Sequence, residues 1–196
     1  MNLSRLWRKI NKETHKNTEP IQALSKAILD GSLYMANSLR SSMEFNSHEE
    51  NEKNWVYILF EVQYLFFHLV GRMASQAVGA DKRSALLESI APLVIDPTIN
   101  AIFGHWPDDK KANIKSEYYK NLAESEYEYG ACKNLWNDKG VDNMNEIVIH
   151  RFGKNIARAM GNEHNLGLII DVQNNLVSKL KDIEFNRLLH KAFAEL

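Results

Sequence analysis

The chain has 196 residues, enough for one domain with a substantial core. Its 24 basic and 25 acidic residues leave a formal net charge of −1, which supplies no overall field for nucleic acid or an acidic membrane. A single cysteine, Cys132, rules out an intrachain disulfide framework and fits a reducing compartment. Met1 to Asn17 lacks the continuous apolar run of a signal peptide, so a cytoplasmic location is expected. Four prolines and nine glycines leave room for long helices.

Residues 2–16 read as a short amphipathic helix, with Leu3, Leu6, Trp7 and Ile10 on one side and Arg5, Arg8, Lys9, Lys12 and Lys16 around them. Such a segment docks on its own bundle or touches a membrane surface or a partner. Thr18-Glu19-Pro20 is a helix start, because proline is pre-set for the first turn. The helix it opens runs to about Ser42, with Ile21, Leu24, Ile28, Met35 and Leu39 facing inward. Glu44 to Lys53 is polar and reads as a loop or as the solvated start of the next helix.

The next helix, about residues 52–79, is the expected centre of the fold. From Trp55 to Val70 only Glu61, Gln63 and His68 are strongly polar, so apolar side chains cover most of the circumference. A helix of that kind belongs inside a bundle. The run is too interrupted for the roughly 20 apolar residues of a membrane span. Glu61, His68 and Arg72 fall within about 40° of each other on the helical wheel, with Tyr64 beside them. Steps of three and four residues let neighbours touch, so Glu61, Tyr64, His68 and Arg72 form a candidate relay and ligand site. The same stripe is equally what the wet edge of a buried helix looks like. Gln63 points away from it, into the apolar side.

After Gly79 the chain turns. Asp81 can cap a helix bearing Leu86, Leu87 and Ile90, and Pro92 interrupts that pattern. Asp96-Pro97 starts a further segment, so two short helices are expected. Pro107-Asp108-Asp109 opens a helix expected to reach Trp136, with Ile114, Tyr118, Leu122, Ser125, Tyr129, Cys132 and Trp136 inward. Glu124, Glu126 and Glu128 read as a solvated acidic face. A turn at 138–142 leads to a helix from about Asn143 to Met160, packed through Met144, Val148, Phe152, Ile156 and Ala159 and ended by Gly161. On it, Glu146 and His150 form an exposed pair with a metal-compatible spacing. The last segment, 165–196, shows one stripe through Ile169, Val172, Leu176, Leu180 and Ile183 and a second through Phe185, Leu188, Leu189, Phe193 and Leu196, with a bend near Asp182.

These elements predict an all-α, single-domain bundle of six to eight helices spanning 1–196. No phosphate-binding glycine loop, dinucleotide fingerprint, HExxH or CxxC motif is present. A binding or structural role therefore ranks above catalysis. One version is association with itself or another protein through the second C-terminal stripe, with Phe185, Leu188, Leu189 and Phe193 as interface. The alternative is a buried carboxylate and histidine site for a small ligand or divalent metal, centred on Glu61 and His68. Ferritin-like sites use Glu-x-x-His, whereas these two are seven residues apart, about 10.5 Å along the axis. Partners would have to come from other helices, such as Glu126 or the Glu146 and His150 pair. An apolar pocket lined by Phe60, Tyr64, Phe66 and Phe67 is a third candidate.

Overall fold

The computed structural model describes residues 20–41, 48–136, 144–180, 187–188 and 190. The described chain is all-α, as expected, with six α-helices: α1 Pro20–Ser41, α2 His48–Val78, α3 Ala80–Phe103, α4 Asp108–Gly130, α5 Val148–Ala159 and α6 Leu166–Leu180. A single 3-10 turn, Met144–Glu146, precedes α5. The described residues divide into two compact units. Unit 1 takes 20–30, 69–122, 187–188 and 190; unit 2 takes 31–41, 48–68, 123–136 and 144–180. Helices α1, α2 and α4 each give a segment to either unit.

In unit 1 the reversal between α2 and α3 is made by Gly79 at φ 86°, a left-handed conformation that costs a glycine little. Gly71 allows the two helices to approach closely: a Cβ there would stand 3.1 Å from Arg83 Nε and 3.2 Å from Leu87 Cδ1.

Helix α3 corrects the expectation of two short helices, because it runs unbroken through Pro92 and Pro97. Its inner face is continuous through Leu86, Ile90, Val94, Ile95, Ile99 and Ile102, all buried. The carbonyls that lose an amide partner to the prolines belong to Glu88 and Leu93, two exposed residues, so water can replace the missing bonds. Unbroken, α3 is long and apolar enough to cross a membrane by length and composition, although 44% of its most apolar window is buried inside the protein.

In unit 2, α2 is buried over most of its circumference from Ile58 onward, while Tyr57 is 50% exposed. Ile58, Leu59, Val62, Gln63, Leu65 and Phe66 are each 0% exposed, as an apolar circumference requires. Trp55 anchors this stretch, donating its indole N–H to Asn37 Oδ1 at 3.1 Å. Asn175 of α6 donates to Ser38 Oγ of α1 at 3.1 Å. Helix α5 buries Val148, Phe152, Gly153 and Ile156, and α6 packs tightly at Gly153. A Cβ on Gly153 would sit 3.0 Å from both the Cγ2 and the carbonyl oxygen of Ile169. Gly161, at φ 70°, closes α5: its amide donates to Arg158 O and that of Asn162 to Ala157 O, the Schellman pattern. Asn165 then caps α6 through its side-chain oxygen, which accepts from the Leu168 amide at 3.0 Å.

Two further boundaries differ from expectation. Helix α4 starts at Asp108 but stops at Gly130 rather than Trp136. Beyond Gly130 the backbone of Asn134 pairs in parallel with Ile147, so its hydrogen bonds go to Glu146 and Val148 instead of along the helix. Trp136 is consequently 44% exposed, and Ile147 is extended, which delays α5 to Val148. Cys132 is buried, as its place in the stripe predicts.

Candidate functional site

Three helices of unit 2 bring polar side chains to one place. Helix α2 supplies Glu61 and His68, α4 supplies Glu126, Glu128 and Tyr129, and α5 supplies Asn155. Tyr129 arrives there because it belongs to the inner stripe of α4, where it is fully buried. Asn155 arrives because it shares the buried face of α5 with Phe152 and Ile156.

The centre of the cluster is one carboxylate oxygen. Glu61 Oε1 accepts a short hydrogen bond from the Tyr129 hydroxyl and a second from Asn155 Nδ2 at 2.9 Å. The same amide nitrogen also donates to Glu128 Oε2 at 3.2 Å. Two carboxylates therefore share one amide group. Burial raises the Glu61 pKa above the ordinary value of 4.5; the bonds from Tyr129 and Asn155 oppose this, the charge of Glu128 adds to it, and Arg158 opposes it. Burial also pushes the Tyr129 phenol well above 10, helped by the negative charge of Glu61. Tyr129 is thus a neutral phenol whose proton is directed at Glu61.

On the other flank of Tyr129 lies His68, 5% exposed. Its ring centroid is 5.5 Å from that of Tyr129, and its Nδ1 is 3.4 Å from Glu126 Oε1. The residue between Glu61 and His68 is therefore Tyr129 from another helix, in the role that the sequence pattern suggests for Tyr64. Tyr64 itself is buried, and Arg72, in the unit 1 segment of α2, is half-buried.

Reading Glu124, Glu126 and Glu128 together as a solvated face is corrected. Glu124 is exposed, but Glu126 and Glu128 are half-buried and turned to His68 and Asn155. A wheel drawn for α4 alone cannot show that α5 covers the flank carrying Glu128. Glu146 and His150 are also half-buried, and each is drawn to a partner of its own. Glu146 pairs with Lys133 at 2.9 Å, and His150 Nδ1 lies 3.1 Å from Gln173 Nε2. Burial, then the charges of Lys154 and Arg151, lower the His150 pKa.

Phe66 and Phe67 are buried at 0% and 2% exposure and fill the core, while Phe60 is half-buried. Among the described residues no three His, Cys, Asp or Glu side chains come together in a metal-holding group. The interface expected at Phe185, Leu189 and Phe193, the bend expected near Asp182 and the basic helix expected at 2–16 lie outside the described residues; Leu188 is half-buried.

Asn155 and Tyr129 are the functional candidates that sequence reasoning missed. The available signal was Asn155: a carboxamide on the apolar face of a helix, beside Phe152 and Ile156, needs a partner from elsewhere. Compared with known protein families, with curated proteins and with solved structures, the chain gives no match.

Proposed function

We propose that this chain is a cytoplasmic, non-enzymatic binding protein, and that the polar cluster of unit 2 is where it holds a small ligand. The observation that carries this reading is Glu61, a carboxylate bonded by side chains from two other helices while a second carboxylate, Glu128, stands on the same amide. Taking a carboxylate out of water is costly, and an apolar core of similar volume is often at least as stable. A carboxylate of this kind, drawn partly out of water and perturbed by it, is characteristic of sites that are used. Glu61, Glu126 and Glu128 are also only half-buried, which leaves the cluster a solvent side. A divalent metal held by Glu61 and His68 is one version of the reading, with Tyr129 standing between the two.

The test is side-chain amide NMR on the full chain, following the Asn155 NH2 resonances against small amines, small carboxylic acids and divalent metals. At least one class should shift them saturably, and Glu61→Gln should abolish the effect while leaving the rest of the spectrum in place. If no class moves Asn155, the reading is wrong.

A second reading, association with itself or another protein, is favoured by Leu166 and Ile170. They are four apart on α6 and 67% and 53% exposed, an apolar pair turned to solvent. Sedimentation equilibrium should then show an oligomer that Ile170→Glu dissociates; a monomer at all concentrations would remove self-association.

A further inference from the structure

The cluster has more hydrogen-bond acceptors than donors. Glu61 and Glu128 bring four carboxylate oxygens, against one phenol proton from Tyr129 and the amide protons of Asn155. Two buried polar groups then remain. Among the described residues, Asn155 Oδ1 has no hydrogen-bond partner although the residue is only 9% exposed. Neither ring nitrogen of His68 makes a hydrogen bond, and that residue is 5% exposed. Both residues border the same phenol: Asn155 and Tyr129 donate to the same Glu61 oxygen, and the His68 ring lies tilted against that of Tyr129 at 5.5 Å between centroids. Charge is unbalanced in the same sense. Arg158, whose charge opposes the rise in the Glu61 pKa, is exposed and itself bonded to Glu163 at 3.3 Å.

We propose that the ligand of this cluster is a primary ammonium group, seated against the carboxylates of Glu61 and Glu128 and the side-chain carbonyl of Asn155. The inference rests on the ligand-binding reading above and names the chemistry of that ligand. An ammonium carries three N–H donors on a compact charge, matching three acceptors from three helices. A guanidinium prefers one carboxylate in a two-pronged bond. Here Glu61 Oε1 already accepts from two donors. A divalent metal would have to compete with those same donors for the oxygen's lone pairs. Glu61 and Glu128 are the partly exposed members of the cluster, and Tyr129, His68 and Asn155 are its buried members. The ammonium also compensates the ionised form of Glu61, so its binding strengthens as pH rises through the raised pKa of that residue.

The experiment uses the full chain and three probes: n-butylammonium, n-butanol as its neutral counterpart, and Zn²⁺. Binding is followed by calorimetry and by the Asn155 amide and Tyr129 ring resonances. Butylammonium should bind saturably and shift both residues, more tightly at higher pH, and butanol and Zn²⁺ should not. Glu128→Gln, a half-buried and nearly isosteric change, should weaken butylammonium by about tenfold or more, as loss of a charge-assisted bond does. If butanol or Zn²⁺ shifts the same residues as strongly, the ammonium assignment falls and the ligand site stands. If no probe shifts them, the ammonium assignment falls, and the ligand reading falls with it when small carboxylic acids also leave Asn155 unmoved. The comparison of butylammonium with butanol needs no variant, so an unfolded mutant cannot rescue the idea.

Discussion

Thr98 in unit 1 and Asn155 in unit 2 are both buried polar residues on the inner faces of amphipathic helices, and they are satisfied in opposite ways. Thr98 donates its hydroxyl to Val94 O, one turn back in the same helix, at 2.8 Å. Ser25 does the same with Ile21 O at 2.9 Å. Such bonds are open to any helix that carries the residue, and by themselves they set no contact with another helix. Asn155 reaches two glutamates on two other helices. Its amide is satisfied only when α2, α4 and α5 are in register. Local satisfaction makes a buried polar group cheap and uninformative. Long-range satisfaction makes it costly to disturb, and it concentrates charge in one place.

The contrast gives a ranked set of expectations. Glu61→Ala should be the most damaging, because it leaves the Tyr129 hydroxyl and the Asn155 amide buried without their shared acceptor. A loss of about 2–4 kcal/mol is expected in urea unfolding, with Glu61→Gln much milder because an acceptor remains. Gly153→Ala follows. Its new Cβ meets the Ile169 backbone oxygen at 3.0 Å, which cannot rotate aside, so about 1–3 kcal/mol should be lost. Asn155→Ala should cost about 1–2 kcal/mol by removing the amide shared by the two carboxylates. A double-mutant cycle with Glu128→Gln should show coupling, and additive effects would mean that the shared bond carries no energy.

A smaller effect is the dependence on pH. Glu61 is protonated more readily in the fold than in the unfolded chain, so between 4.5 and its raised pKa the native state holds more protons. Its contribution is therefore fully present below 4.5 and lost as pH rises through the raised value. Urea midpoints measured across this range should fall with pH from this group, and the Glu61→Gln profile should be flatter by that amount. An unchanged profile would mean that Glu61 titrates normally. Smallest of all should be Ser25→Ala, within about 0.5 kcal/mol, since its bond to Ile21 O is local. A large loss there would break the distinction between the two kinds of buried polar group.

Part of the polar cluster was legible in the chain itself. Glu61 and His68 stand out because they interrupt an apolar helix; Glu61 lies at the centre of the cluster and His68 at its edge. Gln63 was correctly placed in the core, where it is 0% exposed. The partners were not legible. Tyr64 was the local choice for the group between Glu61 and His68, since only neighbours three or four residues away can be inferred from one helix. Tyr129 stands 68 residues from Glu61 in sequence, and Asn155 stands 94. Glu128 was assigned to solvent because a helical wheel knows the stripe of its own helix and nothing of the helix that covers its flank.

The sequence by itself determined that the chain is helical, where most of its helices begin and which faces they bury. Those features follow from periodicity and from proline, glycine and capping residues, all of which act over a few positions. Only the tertiary structure decided that α3 continues through two prolines, that α4 gives way at Gly130, and that Tyr129 and Asn155 meet on Glu61. In each case the outcome depends on what lies opposite. Exposed carbonyls on α3 can turn to water, the backbone after α4 finds a partner at Ile147, and a buried carboxylate takes its donors from whichever helices packing brings to it.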